Sequence, residues 1–557
     1  MQANIVGLDT EYFGHEGKLH RPGGTLACVS VAAEGLKRTD SLLVDHADIK
    51  LYLRHLKKTG ATIAMQNASY DIRQLKASGL WPSPWKPEVW DTMLVEQALF
   101  GGWYQLNSLQ DLSRRWLKRY LNKDTVSQFP TSTKLTPAMR KYALDDAAVT
   151  RDIALAQMKY VKDEHDGDFN WYEDIDLQAM WAVLEMAPIR MDVDGWLSHS
   201  QALYAEGNRI QQSLGFNVKS AQQVKKALIA EGIKVRGTTD ADFMAAALED
   251  AQLKGQHKQE NLLKLIMRAR KCRDAMSKYG ANWIDKNVED GEWVYPNWNV
   301  TGAETGRMSC SKPNMQNIPK RGAGSIYRSF FLATVGQKLL IGDVVQQEPR
   351  FSAFLSKDST LTDEILQNID LHQRTADLFG LSGADARPRG KAINLGLNYG
   401  MSAHGLAARV GISVQDPQAG VDARRRHYSR YYAWQDKQAR LAERRNRVAT
   451  VTGRPVWVNP YNFQYRRNAI NGPIQGSAAD QTKLALAYVH QQCSSEGIPF
   501  GVNLVVHDEI GIDVPAGMMS QYRKILENAW KEAGHKLMPT IPTEVDMASG
   551  YNWRLHE

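Results

Sequence analysis

Two groups of residues in this sequence are equipped for chemistry on phosphate esters. The first is built from carboxylates. Asp9 and Glu11 lie two apart at the end of the apolar run 4–8, and strand side chains alternate, so both face one way. Residues 63–71 read as a second strand carrying Asn67 and Asp71 towards a helix over 72–80. Residues 139–150 read as a helix on which Tyr142 and Asp146, one turn apart, share a face. Hard divalent cations want oxygen ligands, and phosphodiester chemistry needs a clamp on the attacking and leaving oxygens. Four carboxylates from three segments, with a phenol to orient a water, meet that demand. Asp91 has two readings, a further acid behind the cluster or a helix N-cap.

The second group is cationic. Arg387, Lys391, Leu395 and Tyr399 recur at intervals of four and predict one helix face. Pro388 suits the first helical position, which sets Arg387 at the N-terminal end, where free amides already favour an anion. The face fits an extended ligand with a polyphosphate at one end and a flat ring at the other. Taken alone, the stretch reads equally as an amphipathic helix. Residues 338–341 predict a buried strand ending at Asp343, and 504–514 predict two strands joined by a tight turn carrying Asp508 and Glu509. An aspartate at a strand end and another on a hairpin can converge on a metal pair.

The elements that position these residues need several cores, because 557 residues predict two to four domains. Hydrophobic content of 43% and charge of 23% are those of a soluble globular protein. A net charge of +8 suits a polyanionic partner. The four cysteines stand singly, as reduced thiols do. Acids near the N-terminus exclude a signal-peptide core, and no apolar run reaches membrane-span length, so a cytoplasmic protein is expected, with no membrane partner. The acidic stretch 162–176 suits a domain junction. Residues 254–278 hold eight Lys or Arg against two acids, and 424–447 hold nine against two. Each reads either as a phosphate-backbone contact or as a solvated helix face.

Taken in order, Asp9/Glu11, Asn67…Asp71 and Tyr142…Asp146 resemble the three motifs of the DEDDy 3′–5′ exonucleases. Asp343…Glu348…Arg350 resembles motif A of the family A DNA polymerases, Arg387…Lys391…Tyr399-Gly400 motif B, and residues 506–509 motif C. Arg467…Asn471…Gln475, Thr305-Gly306-Arg307 and Asp370-Leu371-His372 are similar to further signatures of that family. The resemblance implies a multidomain α/β protein, an RNase H-like exonuclease domain followed by a right-hand polymerase, Klenow-like and without a 5′ nuclease domain. The expected domains are 1–163 (exonuclease), 164–300 (polymerase N-terminal part with thumb), 301–360 (palm), 361–447 (fingers) and 448–557 (palm).

It also implies roles. Asp343 and Asp508 hold two Mg²⁺ ions, and Asp9, Glu11, Asp71 and Asp146 hold two more, with Mn²⁺ as an alternative. His372, Arg387 and Lys391 bind the triphosphate, Lys391 facing the leaving pyrophosphate. Tyr399 stacks near the templating base, Leu395 faces the sugar, and Glu348 excludes a 2′-hydroxyl. Arg307, Asn471, Gln475, Arg467 and His507 touch the primer-template, and so, from the thumb, do Arg268, Arg270, Lys271 and Arg273. The expected partners are primer-template DNA, dNTPs and the helicase, primase and single-strand binding protein of a replisome, around a monomeric phage-type enzyme in the host cytoplasm. Val344, Pro349 and Leu395 depart from the family pattern, where tyrosine, leucine and an aromatic residue are usual; a leucine at 395 implies discrimination against dideoxynucleotides. A single-subunit RNA polymerase is disfavoured by Glu348 and by the intact exonuclease motifs, and a purely degradative exonuclease by the presence of both Asp343 and Asp508.

Overall fold

The computed structural model describes residues 5–14, 24–34, 41–101, 103–104, 106–235, 237–398, 401, 406 and 417–555. They form two compact units: Met1–Ala187 with Asn297–Ser311 and Leu340–Ala548, and Pro188–Pro296 with Lys312–Leu339 and Ser549–Glu557. No described helix is long and apolar enough to cross a membrane.

The first unit opens with a five-stranded sheet, β1 (Ile5–Phe13), β2 (Thr25–Ala32), β3 (Leu42–Leu43), β4 (Thr62–Met65) and β5 (Val89–Asp91), in the order β3-β2-β1-β4-β5. β1 runs antiparallel to β2 and parallel to β4. It continues five residues beyond the apolar run because its pairing with β2 extends to Phe13↔Thr25. Asp9 and Glu11 are therefore inside the strand rather than beyond its end, alternating with buried Thr10 and Tyr12. α1 (Ala68–Ala77) follows β4, and α2 (Thr92–Phe100) follows β5. Asp91 caps α2 through Met93 N and also accepts from Asn67 N and Ala68 N at 3.0 and 2.8 Å. One buried carboxylate thus fixes the starts of two helices and sets Asp71 in the first turn of α1, not at a strand end. α3 (Pro137–His165), capped by Thr136, lies against β1. A side chain at Gly7 would sit 2.3 Å from Ala147 O, so the glycine lets Asp146 approach the acidic strand.

The acidic stretch after α3 turns a corner that alternates exposed acids with buried aromatic residues. Trp171 and Tyr172 are buried, and Asp176 leads, itself buried, into α4 (Leu177–Val183). Later in the chain come β6 (Gln337–Val344), α5 (Gln347–Ser356), α6 (Leu371–Leu378), α7 (Ala386–Asn398), α8 (Pro417–His427), α9 (Ser429–Arg445) and α10 (Tyr465–Glu496). β7 (Val502–Val506) and β8 (Glu509–Pro515) form the expected hairpin, paired at Val506↔Glu509, with His507 left-handed in the two-residue turn. α11 (Met519–Leu537) and β9 (Val545–Gly550) follow, and the second sheet has the order β7-β8-β6-β9.

α10 is buried over most of its length. Its Asp480 and Lys483 join Asp176 and Arg454 in an ion cluster with side chains at most 2% exposed. Arg454 reaches Asp176 through two nitrogens at 2.8 Å and Asp480 through Nε at 2.9 Å. Burial alone would raise the Asp176 carboxyl, but Arg454 and Lys483 hold it below its ordinary value.

The second unit packs the helix Val193–Leu214 against His257–Tyr279 over a core that includes Val218, Leu228, Leu263 and Ile266. Trp196 is buried among Tyr279, Trp283, Tyr327 and Phe331.

Asp176→Asn removes one anion from the ion cluster and leaves two buried cations facing one carboxylate. The expected loss is about 3–5 kcal/mol for the first unit, against about 0.2–1 kcal/mol for breaking the exposed Asp174–Lys536 pair. Thermal and urea unfolding of the two variants side by side measures the difference.

Candidate active sites

At the first centre, ligand atoms of Asp9, Glu11 and Asp146 all lie within 4.8 Å of one another. Asp71, on α1, is not in this group but stands close enough to raise Asp9 and Glu11, and it accepts a hydrogen bond from Thr10 Oγ1. Burial, and then the neighbouring acids, raises Asp9 well above the usual carboxylate range and Glu11 to about 8. Burial takes Asp71 to about 7 against the opposing bond from Thr10. Tyr142 is pushed up by burial and by Asp146. Such a cluster carries more negative charge than its surroundings neutralise, and an all-oxygen donor set of this kind fits a hard divalent cation. Lys123, absent from the sequence expectations, enters it: Nζ donates to Tyr142 OH at 2.8 Å and to Asp146 Oδ2 at 2.7 Å. It comes from an irregular loop, so no periodicity marked it.

The second centre is set by backbone pairing. Val344 N donates to Asp508 O at 3.1 Å, which brings the Asp343 end of β6 beside the β7–β8 turn. Thr482 Oγ1 on α10 donates to His507 O at 3.2 Å and holds that turn. Asp343 and Asp508 are half-buried and His507 is exposed. Val344 is buried, and Pro349 sits in the first turn of α5 behind Glu348. Glu348 accepts from Arg307 Nη2 at 2.5 Å. Arg350 is a buried staple, bonded to Val345 O and Pro542 O. Arg467, Asn471 and Gln475 recur every four residues on α10, the first exposed and the other two half-buried.

The cationic helix is α7, which starts at Ala386, so Pro388 is its third residue rather than its first. A Cβ at Gly390 would lie 2.2 Å from His372 O, and this close approach sets α7 against α6. Asn394 joins the two helices, its Nδ2 3.1 Å from His372 Nδ1. Its Oδ1 accepts from buried Arg424 at 2.6 Å, which fixes the amide orientation and leaves His372 Nδ1 as acceptor and Nε2 as the protonated nitrogen. Asn394 and Arg424 were not singled out from sequence, although Asn394 stands one turn from Lys391. Arg387 Nε donates to Asp370 Oδ2 at 2.5 Å while Asp370 Oδ1 caps α6. Lys391 is half-buried and Leu395 is 42% exposed. Tyr399 lies outside the described residues.

On His257–Tyr279 three of the four expected cations also bond acceptors within their own unit. Arg268 forks onto Glu206 at 2.6 and 2.7 Å. Arg270 bonds Val218 O at 2.7 Å, and Arg273 bonds Gln211 at 2.8 Å. Guanidinium groups whose stems pack beside the core satisfy the nearest acceptors, so of the four expected here Lys271 is the exposed one.

The family profile described as DNA polymerase family A matches residues 198–555. DNA polymerase I of Aquifex aeolicus is 27% identical over 535 residues, 88% of each chain. That of Pseudomonas aeruginosa is 34% identical over 313 residues, 52% of this chain and 33% of its own. That of Caldicellulosiruptor bescii is 27% identical over 410 residues, 69% and 47%. The chain thus spans most of the first relative and a third to a half of the other two. Among solved structures, the POL domain of Pol1 from M. smegmatis, in complex with DNA primer-template and dNTP, superposes with a TM-score of 0.81 at 23% identity, covering 99% of this chain and 96% of its own. That likeness is one of fold.

Raised carboxylates bind protons in the folded state that the unfolded chain has released. Stability of the metal-free protein should therefore fall as pH rises from about 4.5, the ordinary value of Glu11, through its folded value of about 8. Added Mn²⁺ should flatten the slope, as should Glu11→Gln. Melting temperatures across this range, with chelator and with Mn²⁺, check it.

Proposed function

The chain belongs to DNA polymerase family A, a membership that supports DNA-templated DNA synthesis, and we propose that it extends primer 3′ ends with dNTPs at Asp343/Asp508 and trims them at a separate 3′–5′ exonuclease centre. The observation that carries this reading is the division of the acids into two groups on two different sheets. Asp9, Glu11, Asp71 and Asp146 gather around β1, and Asp343 and Asp508 at the junction of β6 with the β7–β8 turn. Divalent ions, Mg²⁺ or Mn²⁺, held by these acids supply charge to the attacking and leaving oxygens.

The chain's own residues do the rest. Arg387 leaves Asp370 for the triphosphate, His372 donates from Nε2, and Lys391 neutralises the departing pyrophosphate. Glu348, steadied by Arg307, crowds the sugar 2′ position, and Leu395 lies along the sugar. Arg307, Asn471 and Gln475 test the minor groove, where acceptors of A·T and G·C pairs are nearly equivalent, so pair geometry is checked without reading sequence. Arg467, His507 and Lys271 add charge along the duplex. At the nuclease centre Tyr142 orients the attacking water. In this reading residues 1–163 are the exonuclease domain, 164–300 carry the thumb, 301–360 and 448–557 the palm, and 361–447 the fingers. A monomer in a phage-type replisome in the host cytoplasm belongs to the proposal by analogy.

Asp9→Ala with Glu11→Ala should abolish trimming of a labelled primer and leave extension near wild type, whereas Asp508→Ala should do the reverse. Equal loss of both activities in the first variant would mean one shared site.

Glu348→Ala removes bulk and charge beside the sugar. The ratio of kcat/KM for dNTP over rNTP should fall by roughly tenfold or more. An unchanged ratio would move the gate to another residue, Val344 being adjacent to Asp343.

A further inference from the structure

The segment between Leu117 and Val126 delivers a single lysine into the carboxylate cluster, and nothing in the nuclease reading gives it a task. Lys123 Nζ is 2.7 Å from Asp146 Oδ2 and 2.8 Å from Tyr142 OH, and stands 4.7 Å from the centre of the Tyr142 ring. Asp146 is at the same time one of the three acids whose ligand atoms crowd within 4.8 Å. Its side chain is 9% exposed, whereas that of Lys123 is 30% exposed, so the lysine reaches in from the protein surface.

An ammonium on a four-carbon stem is a compact point charge with freely rotating donors. It satisfies an anionic oxygen much as a metal ion does, but it is tethered. A divalent cation brought to Asp146 would stand within a few ångströms of Nζ, and like charges at that separation repel strongly where water is scarce. Both cannot hold the carboxylate at full strength. Lys123 stands on irregular backbone with its side chain 30% exposed, so an outward rotamer meets solvent rather than a packed helix face.

We infer that Lys123 is the resident counter-charge of this centre, holding Asp146 and Tyr142 in place until a divalent ion displaces it. The inference rests on the nuclease reading of the cluster. Lys123 offsets one of the four acids while no metal is bound, and the exchange releases the Tyr142 hydroxyl when metal arrives and leaves an ammonium at the rim, on the path of an incoming phosphodiester. Lys123 is a positioning residue that acts through Asp146 and Tyr142.

The experiment is Mn²⁺ binding to the full-length chain, followed by electron paramagnetic resonance of the free ion and by calorimetry. Ions lost in the Asp9→Ala/Glu11→Ala variant are those of this centre. In Lys123→Met these ions should bind about tenfold tighter or more, the effect of removing one contacting like charge. Lys123→Gln should tighten them as well, and Lys123→Arg should match wild type. The Mn²⁺ concentration giving half-maximal trimming should fall by the same factor. Circular dichroism and a thermal melt establish that each variant is folded. Unchanged or weaker binding in both Lys123→Met and Lys123→Gln overturns the exchange while leaving the nuclease centre standing. If the Asp9→Ala/Glu11→Ala variant binds as many ions as wild type, it is the nuclease reading that fails.

Discussion

Four buried charges hold the first unit to one geometry. Asp176, Arg454, Asp480 and Lys483 come from three separate stretches of chain, and their charges sum to zero. Each alone would carry a desolvation penalty of several kcal/mol, so removing any one partner leaves an uncompensated buried charge. Two of the four belong to α10, whose Thr482 steadies the turn carrying Asp508 and whose outer face presents Asn471 and Gln475. Asp176 belongs to the corner that follows α3, the helix of Tyr142 and Asp146. Close by, Trp457 donates to Leu99 O and stacks on Phe100, tying the β1 sheet's helices to the same framework. Both acidic centres are thereby referred to one buried helix.

Exposure separates the permanent ion pairs from those that can exchange. Arg454 and Asp176 are almost fully buried, and no ligand could repay breaking them. Arg387 and Asp370 are 57% and 38% exposed, where a pair is worth about 0.2–1 kcal/mol. Charge-assisted bonds from an anionic ligand would be stronger than such a pair and could displace it at little cost. Arg307–Glu348 lies between these limits at 31% and 36%. These three arginines are thus held on internal acceptors, which orders their side chains.

Local chemistry along the chain determined a good deal. Spacing of two and of four put Asp9 with Glu11 and Tyr142 with Asp146 on common faces, because strand and helix periods are properties of the backbone alone. The tight turn at His507-Asp508 follows from two apolar runs meeting at polar residues, and motif order pointed to the polymerase family that the profile match identifies. Tertiary structure decided the rest, wherever a long side chain chose among acceptors far away in sequence. Lys123 entered the acidic cluster, Arg424 locked Asn394 onto His372, and Arg268, Arg270 and Arg273 were taken by their own unit. Composition counted those cations but could not name the acceptors that the folded chain brings to them. Pairing of buried or half-buried charge is settled by which opposite charge the folded chain brings within reach, and no periodicity encodes that distance.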